Sequence, residues 1–223
     1  AEVFGCSCCP PNLVRLFAQI GSFAYGEEDG VLYVRQYISS QISACGMELS
    51  LTTQLPFAGS VNIFVRGRGP LALRIPVWQT HIACSVNGQS TEPEAEGDYL
   101  YFSVDGDTRI EVVFGMRPRF VWANGHVRAD SGRKAVEYGP LVLCAEEADN
   151  GGDLSGVEIS SLERAEVVRT ENGLKVRVPA RRLRTGDALY SYFPPEPESF
   201  TLTLIPYYSW ANRGENDMQV WFL

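Results

Sequence analysis

Lysine is nearly missing from this chain of 223 residues: it occurs only at Lys134 and Lys175, among 19 cations set against 27 carboxylates. The formal net charge is −8. A surface of that sign repels phosphate backbones unless its cations cluster. The longest basic cluster, Arg181-Arg182-Leu183-Arg184, is short and interrupted, which predicts a solvated strand and no nucleic-acid partner. Histidine is as scarce. His81 and His126 lie far apart beside turn signals, with no partners for a Ser-His-Asp triad or a histidine-rich metal site. No apolar run approaches the ~20 residues that span a bilayer, so no membrane partner is expected. A Gly-rich phosphate loop and a dinucleotide fingerprint are both lacking, and Arg66-Gly67-Arg68-Gly69 reads as a turn. Paired carboxylates suited to acid–base work are not evident either. Glu27-Glu28-Asp29, Glu92/Glu94/Glu96 and Glu146-Glu147 with Asp149 read as solvated loops. The first residues carry no basic leader, and the six cysteines do not form the dense framework of a small secreted domain. The expectation is a reducing, cytoplasmic environment.

What is present reads as β structure. Hydrophobic residues make up 45% of the chain, enough for one large core or two small ones. Apolar side chains alternate along 61–65, 71–75, 98–104, 108–115 and 199–206, and further strands are predicted at 31–34, 47–51, 82–86, 117–122, 133–138, 140–145, 156–159, 165–169, 174–178 and 217–222. Turn signals such as Asn87-Gly88, Asp105-Gly106-Asp107 and Asn172-Gly173 separate them. Short strands punctuated in this way are the mark of β-sandwiches. The predicted class is all-β, with two sandwich subdomains at 22–125 and 126–223 behind one helix at 1–21. Cys45, Cys84 and Cys144 sit singly in apolar contexts and read as small buried hydrophobes. Tyr192-Phe193-Pro194-Pro195-Glu196 reads as a stiff, extended connection. The aromatic clusters Tyr190-Ser191-Tyr192-Phe193 and Tyr207-Tyr208-Ser209-Trp210 suit either core and interface packing or a sugar-stacking platform. Packing is the expectation.

Chemistry concentrates at the start, in Cys6-Ser7-Cys8-Cys9-Pro10-Pro11-Asn12. Leu13, Val14, Leu16, Phe17 and Ile20 then recur at helical spacing. Thiols this dense are bound to a metal, oxidised or reactive, because the thiolate is both a ligand and a nucleophile. Proline is favoured at the first helical position, which puts Cys8 and Cys9 just ahead of a helix N-terminus, where unpaired amides and the dipole favour a thiolate. Two simpler readings stay open: a strained vicinal disulfide, or inert thiols buried at a helix start. Adjacent cysteines also converge on one metal less readily than cysteines two to four residues apart.

Several segments together resemble one family. They are Cys8-Cys9-Pro10-Pro11-Asn12 with Arg15, Leu73-Arg74-Ile75-Pro76-Val77-Trp78, Ser85-Val86-Asn87-Gly88, Met116-Arg117-Pro118-Arg119, Glu137-Tyr138-Gly139-Pro140-Leu141-Val142, and Trp210-Ala211-Asn212-Arg213-Gly214 with Met218 and Trp221. Their order resembles the C-terminal third of glycoside hydrolase family 127, the bacterial β-L-arabinofuranosidases, formerly a domain of unknown function. The resemblance implies that residues 1–21 are the last helix of an (α/α) barrel and the rest its β-sandwich region. It further implies that Cys8 is the nucleophile of a retaining mechanism, and that Cys8 and Cys9 are zinc ligands. Cys6 has no implied role. The acid/base glutamate, the other zinc ligands and the sugar-binding residues would belong to the barrel.

This reading carries definite expectations. Zinc is implied for the full-length parent and not for this chain alone, which should be inactive. The implied partners are the upstream barrel and an arabinose-containing glycan. The apolar face that packed on the barrel could drive homo-oligomerisation once bare. A stand-alone carbohydrate-binding or oligomerisation sandwich is the alternative of another class, and a small structural zinc protein is a third.

Overall fold

Alternation governs the strands. Thr108–Phe114 buries Thr108, Ile110, Val112 and Phe114 and exposes the residues between them, as a strand does with one face on a core and the other in water. A computed structural model describes residues 8–170, 173–184 and 188–223. The class is all-β, and the chain divides into two units, Ala1–Gly115 and Met116–Leu223. Among the described residues no helix is long and apolar enough to cross a membrane.

The first unit runs α1 (Cys9–Ala24), β1 (Tyr25–Glu28), β2 (Val31–Val34), β3 (Ser40–Ala44), β4 (Met47–Thr53), β5 (Ser60–Arg74), β6 (Ile82–Val86), β7 (Gln89–Ser90), β8 (Glu94–Glu96), β9 (Tyr99–Asp105) and β10 (Thr108–Phe114). Strand β5 belongs to both layers. Its first half lies between β4 and β10, and its second half lies between β9 and, in parallel, β2. The changeover falls at Arg66-Gly67-Arg68-Gly69, which is therefore a bend inside one strand and not a turn. Gly67 has φ 133°, and a Cβ there would lie 2.5 Å from the carbonyl oxygen of Gly46, so only glycine lets the two backbones approach. Between the layers, Leu49, Leu51, Ile63, Val65 and Ile110 share one core with Leu32, Leu71, Leu73 and Phe102.

Two-residue turns set the register of three hairpins. Asp29-Gly30, Cys45-Gly46 and Asn87-Gly88 each have positive φ at both positions, the type I′ geometry that matches strand twist. Cys45 is thus a turn residue rather than a buried strand residue.

The second unit contains β11 (Pro118–Trp122), β12 (Lys134–Tyr138), β13 (Leu141–Glu146), α2 (Glu147–Asn150), β14 (Val157–Glu158), β15 (Glu166–Thr170), β16 (Gly173–Arg184), β17 (Glu196–Pro206) and β18 (Met218–Gln219). The strand order is β11-β12-β13-β17-β16-β14, with β15 added on β16 and β18 on β13. Leu143, Val157, Ile159, Val176, Val178, Leu202, Leu204 and Phe222 are fully buried. Strand β11 pairs with β12, so it belongs to this unit, and the division falls ten residues ahead of the expected 125/126 boundary. The expected strand at 217–222 is reduced to Met218–Gln219 plus a bridge between Phe222 and Lys134.

Candidate active site at the N-terminal thiols

Helix α1 continues to Ala24, past the expected end at 21. Pro10 sits in its first turn and Cys8 at its N-cap, with no acidic residue in that turn. Neither thiol is in a disulfide, both are exposed, and their sulfurs approach to 3.7 Å. Adjacent cysteines therefore do converge here. Two thiolates on one tetrahedral zinc, at Zn–S of about 2.3 Å, are about 3.8 Å apart, so the pair fits two corners of such a site. Among the described residues no group of three or more His, Cys, Asp or Glu side chains could complete it. Cys6 lies outside the described residues.

The helix carrying the thiols is amphipathic, but its apolar face is bare. Leu13 is 56% exposed and Phe17 68%, and Val14, Leu16, Ile20 and Phe23 are exposed as well. Ala24, at the end where the helix meets β1, is its buried residue. A stripe of this width normally faces a core.

The acidic run at 146–149 is not a solvated loop. Glu146 closes the apolar run of β13 and is fully buried. It forms an ion pair with Arg213, accepts the amide of Ala211 at 2.8 Å and faces the Asn216 amide at 3.5 Å. Asp149 accepts from Arg213 at 2.7 and 2.8 Å and from Lys175 at 2.9 Å. Burial pushes the Glu146 carboxyl up, but Arg213, the Ala211 amide and Asn216 together hold it below the ordinary range. The bond to Arg213, helped by Lys175, holds Asp149 low against the opposing effect of burial. This cluster pins the segment after β17, including Ala211, a non-glycine residue at φ 62°. It is a clamp on that loop. Sequence reasoning missed it, although a charge closing an unbroken apolar strand was its visible sign.

The remaining candidates are scattered. His81 and His126 are exposed. Leu189, Tyr190, Tyr192 and Phe193 are almost fully exposed, which corrects the expectation of core packing for that cluster. Tyr207 and Trp210 keep partial exposure with ring centroids 6.3 Å apart. Cys144 is fully buried in β13, where burial, helped by Glu146, pushes its thiol up to about 12. Iodoacetamide at pH 8 is therefore expected to alkylate Cys8 and Cys9 in the native chain and to spare Cys144. Peptide mass mapping with and without denaturant checks this.

With this geometry in hand, comparison with known proteins is decisive. Residues 31–116 match the beta-L-arabinofuranosidase GH127 middle domain, and residues 118–223 match the glycoside hydrolase family 127 C-terminal domain. The chain belongs to glycoside hydrolase family 127. It is 33% identical to a non-reducing end beta-L-arabinofuranosidase of Bifidobacterium longum subsp. longum, over 97% of this chain and 37% of that protein. The solved structure of a GH127 beta-L-arabinofuranosidase from Geobacillus stearothermophilus T6 superposes with a TM-score of 0.86 at 30% identity, covering 99% of this chain and 38% of the other. A further GH127 beta-arabinofuranosidase structure matches with a TM-score of 0.85 at 30% identity, over 98% and 39%. The chain thus spans under two-fifths of the length of these family 127 relatives. Its thiols and α1 precede the matched middle domain.

Proposed function

We propose that this chain is the sandwich-bearing C-terminal portion of a retaining glycoside hydrolase acting on β-L-arabinofuranosides, with Cys8 as its nucleophile. The observation that carries the reading is the convergence of the Cys8 and Cys9 sulfurs at 3.7 Å on a helix with a bare apolar face. The thiolate of Cys8 attacks the anomeric carbon and forms a carbon–sulfur bond as the glycosidic bond breaks. The leaving oxygen takes a proton from an acid carboxyl on the opposite side of the sugar, and water later releases the sugar from sulfur with retention. Cys8 and Cys9 would hold a zinc ion, which when bound keeps both sulfurs as thiolates at neutral pH. The acid carboxyl and the other ligands come, in this reading, from an upstream (α/α) barrel.

That barrel also covers the apolar face of α1, and the sandwiches brace it. The isolated chain is accordingly inactive and self-associates through Leu13, Leu16 and Phe17. Gel filtration at two concentrations, with Phe17→Glu as comparison, checks the association: the variant is expected to stay monomeric. The function is tested by assaying the full-length parent and the 223-residue chain on a chromogenic β-L-arabinofuranoside, with Cys8→Ser in the parent. Turnover by the isolated chain would overturn the proposal.

A further inference from the structure

The outward face of the layer β3-β4-β5-β10-β6 is polar in an ordered way. Antiparallel register stacks its side chains in cross-strand rows. Ser43 lies beside Glu48, and Glu48 beside Arg66. The next row is Gln41, Ser50, Phe64 and Arg109. The third is Thr52, Asn62, Glu111 and Ser85. Directly paired side chains on one face are 4.5–5.5 Å apart at Cβ, so the rows form a continuous lattice with one aromatic, the half-buried Phe64, at its centre.

The relief of this face follows from side-chain length. Ser43, Ser50, Thr52 and Asn62 are short and make a floor, while Gln41, Glu48, Arg66, Arg109 and Glu111 stand around it. Two open depressions result, about 400 Å³ and about 330 Å³, and both are lined by Ser50 and Phe64. Each has the volume of a small-molecule site. The side chains of Gln41, Ser43, Ser50, Thr52, Asn62 and Arg109 make no hydrogen bond to another described residue. Their donors and acceptors are left to whatever occupies the face.

The chemistry selects among occupants. Arg66 is tied to Asp107 at 3.1 Å, and the face sets three carboxylates, Glu48, Asp107 and Glu111, against two guanidinium groups. That balance offers no field to an anion such as a phosphate or a polynucleotide. A protein partner needs an apolar centre of several anchors, and here the centre holds one ring, with Val113, the exposed valine of β10, a row beyond Glu111 toward the end of the strand. A neutral saccharide needs what is present: interleaved donors and acceptors for hydroxyls, and one aromatic surface for its C–H groups.

We propose that this face of the middle domain is a glycan-binding site, with Phe64 as its stacking platform and the flanking rows as its hydroxyl partners. The site stands on the chemistry of the sheet. Only the choice of arabinose-bearing probes rests on the catalytic reading above.

Native affinity electrophoresis of the 223-residue chain through gels containing linear arabinan, arabinoxylan or dextran tests it. Retardation in at least one glycan gel relative to a glycan-free gel is expected. Phe64→Ala and Ser50→Arg are each expected to weaken it at least about tenfold, the first by removing the platform and the second by filling both depressions. Both residues lie on the outer face, and unchanged thermal unfolding would show that the core is intact. Trp210→Ala should leave retardation as it is. No retardation in any gel, retention by both sheet variants, or loss with Trp210→Ala alone would each overturn the proposal. Retardation by dextran alone would support the site and count against arabinose as its ligand. The catalytic reading is judged by Cys8-dependent turnover of the parent and this one by retardation of the 223-residue chain, so failure of the one and failure of the other give different results.

Discussion

In the full-length parent, Cys8→Ser is expected to lower kcat/KM on a β-L-arabinofuranoside by at least about 10³-fold, with kcat carrying the loss. Serine keeps the shape of cysteine but not its chemistry. Its hydroxyl is not ionised at neutral pH, is a poor ligand for zinc and is a weak nucleophile without a neighbouring base. Cys9→Ser serves as the comparison. It removes one proposed zinc ligand and keeps the nucleophile, so metal content should fall together with rate. Mass spectrometry supplies a readout that a merely structural cysteine would not move: a mechanism-based arabinofuranosyl inhibitor should label the peptide bearing Cys8 and leave that of Cys9 unlabelled. Cys8→Ser activity within tenfold of the parent's, or labelling elsewhere, would refute the assignment.

The second large effect is on stability. Arg213→Met is expected to destabilise the Met116–Leu223 unit by about 3 kcal/mol, the low end for breaking a buried ion pair, because Arg213 is itself 38% exposed and water partly screens it. For a unit of about 100 residues this lowers Tm by roughly 10–15 °C. The cause is the carboxylate left behind. Glu146 would keep the Ala211 amide and Asn216 but lose its counter-charge in a fully buried position. Asp149 would keep Lys175.

The pH dependence follows from the same pair. In the native protein both carboxyls titrate below their ordinary range, so the stability they contribute is complete above the unfolded-state carboxylate range and disappears as pH falls through their depressed values. In Arg213→Met a protonated Glu146 is the better tenant of the buried position. The gap in Tm between the two proteins should therefore be widest near pH 7 and close as the pH drops through the carboxylate range. Thermal unfolding at a series of pH values checks this, and a gap independent of pH would refute the clamp.

Much of this molecule was legible as a string. Alternation over 61–65, 98–104 and 108–115 is a property of neighbours two apart, so the strands and the all-β class were readable. Asn87-Gly88 announced its hairpin through backbone chemistry confined to two residues. The thiol pair and its helix were readable because proline, cysteine and the apolar repeat act over one or two turns.

What the string left undecided depends on partners distant along it. Arg213 meets Glu146 across 67 positions, so an acidic run that resembled solvent-facing loop became a buried anchor. The runs at 61–65 and 71–75 are a single strand, because Gly67 lets β5 bend against Gly46 and cross from one layer to the other. Strand β11 joined the second unit through its pairing with β12, which no local pattern around residue 120 encodes. The setting of Phe64 required the register of β4, β5 and β10 at once. By itself, then, the sequence determined the periodicities, turns such as Asn87-Gly88 and the pairing of two adjacent thiols with a helix start, since these are local. Only the tertiary structure decided which charge is buried, where one unit ends, and that the two sulfurs meet, since each depends on long-range pairing or on how a backbone turns in space.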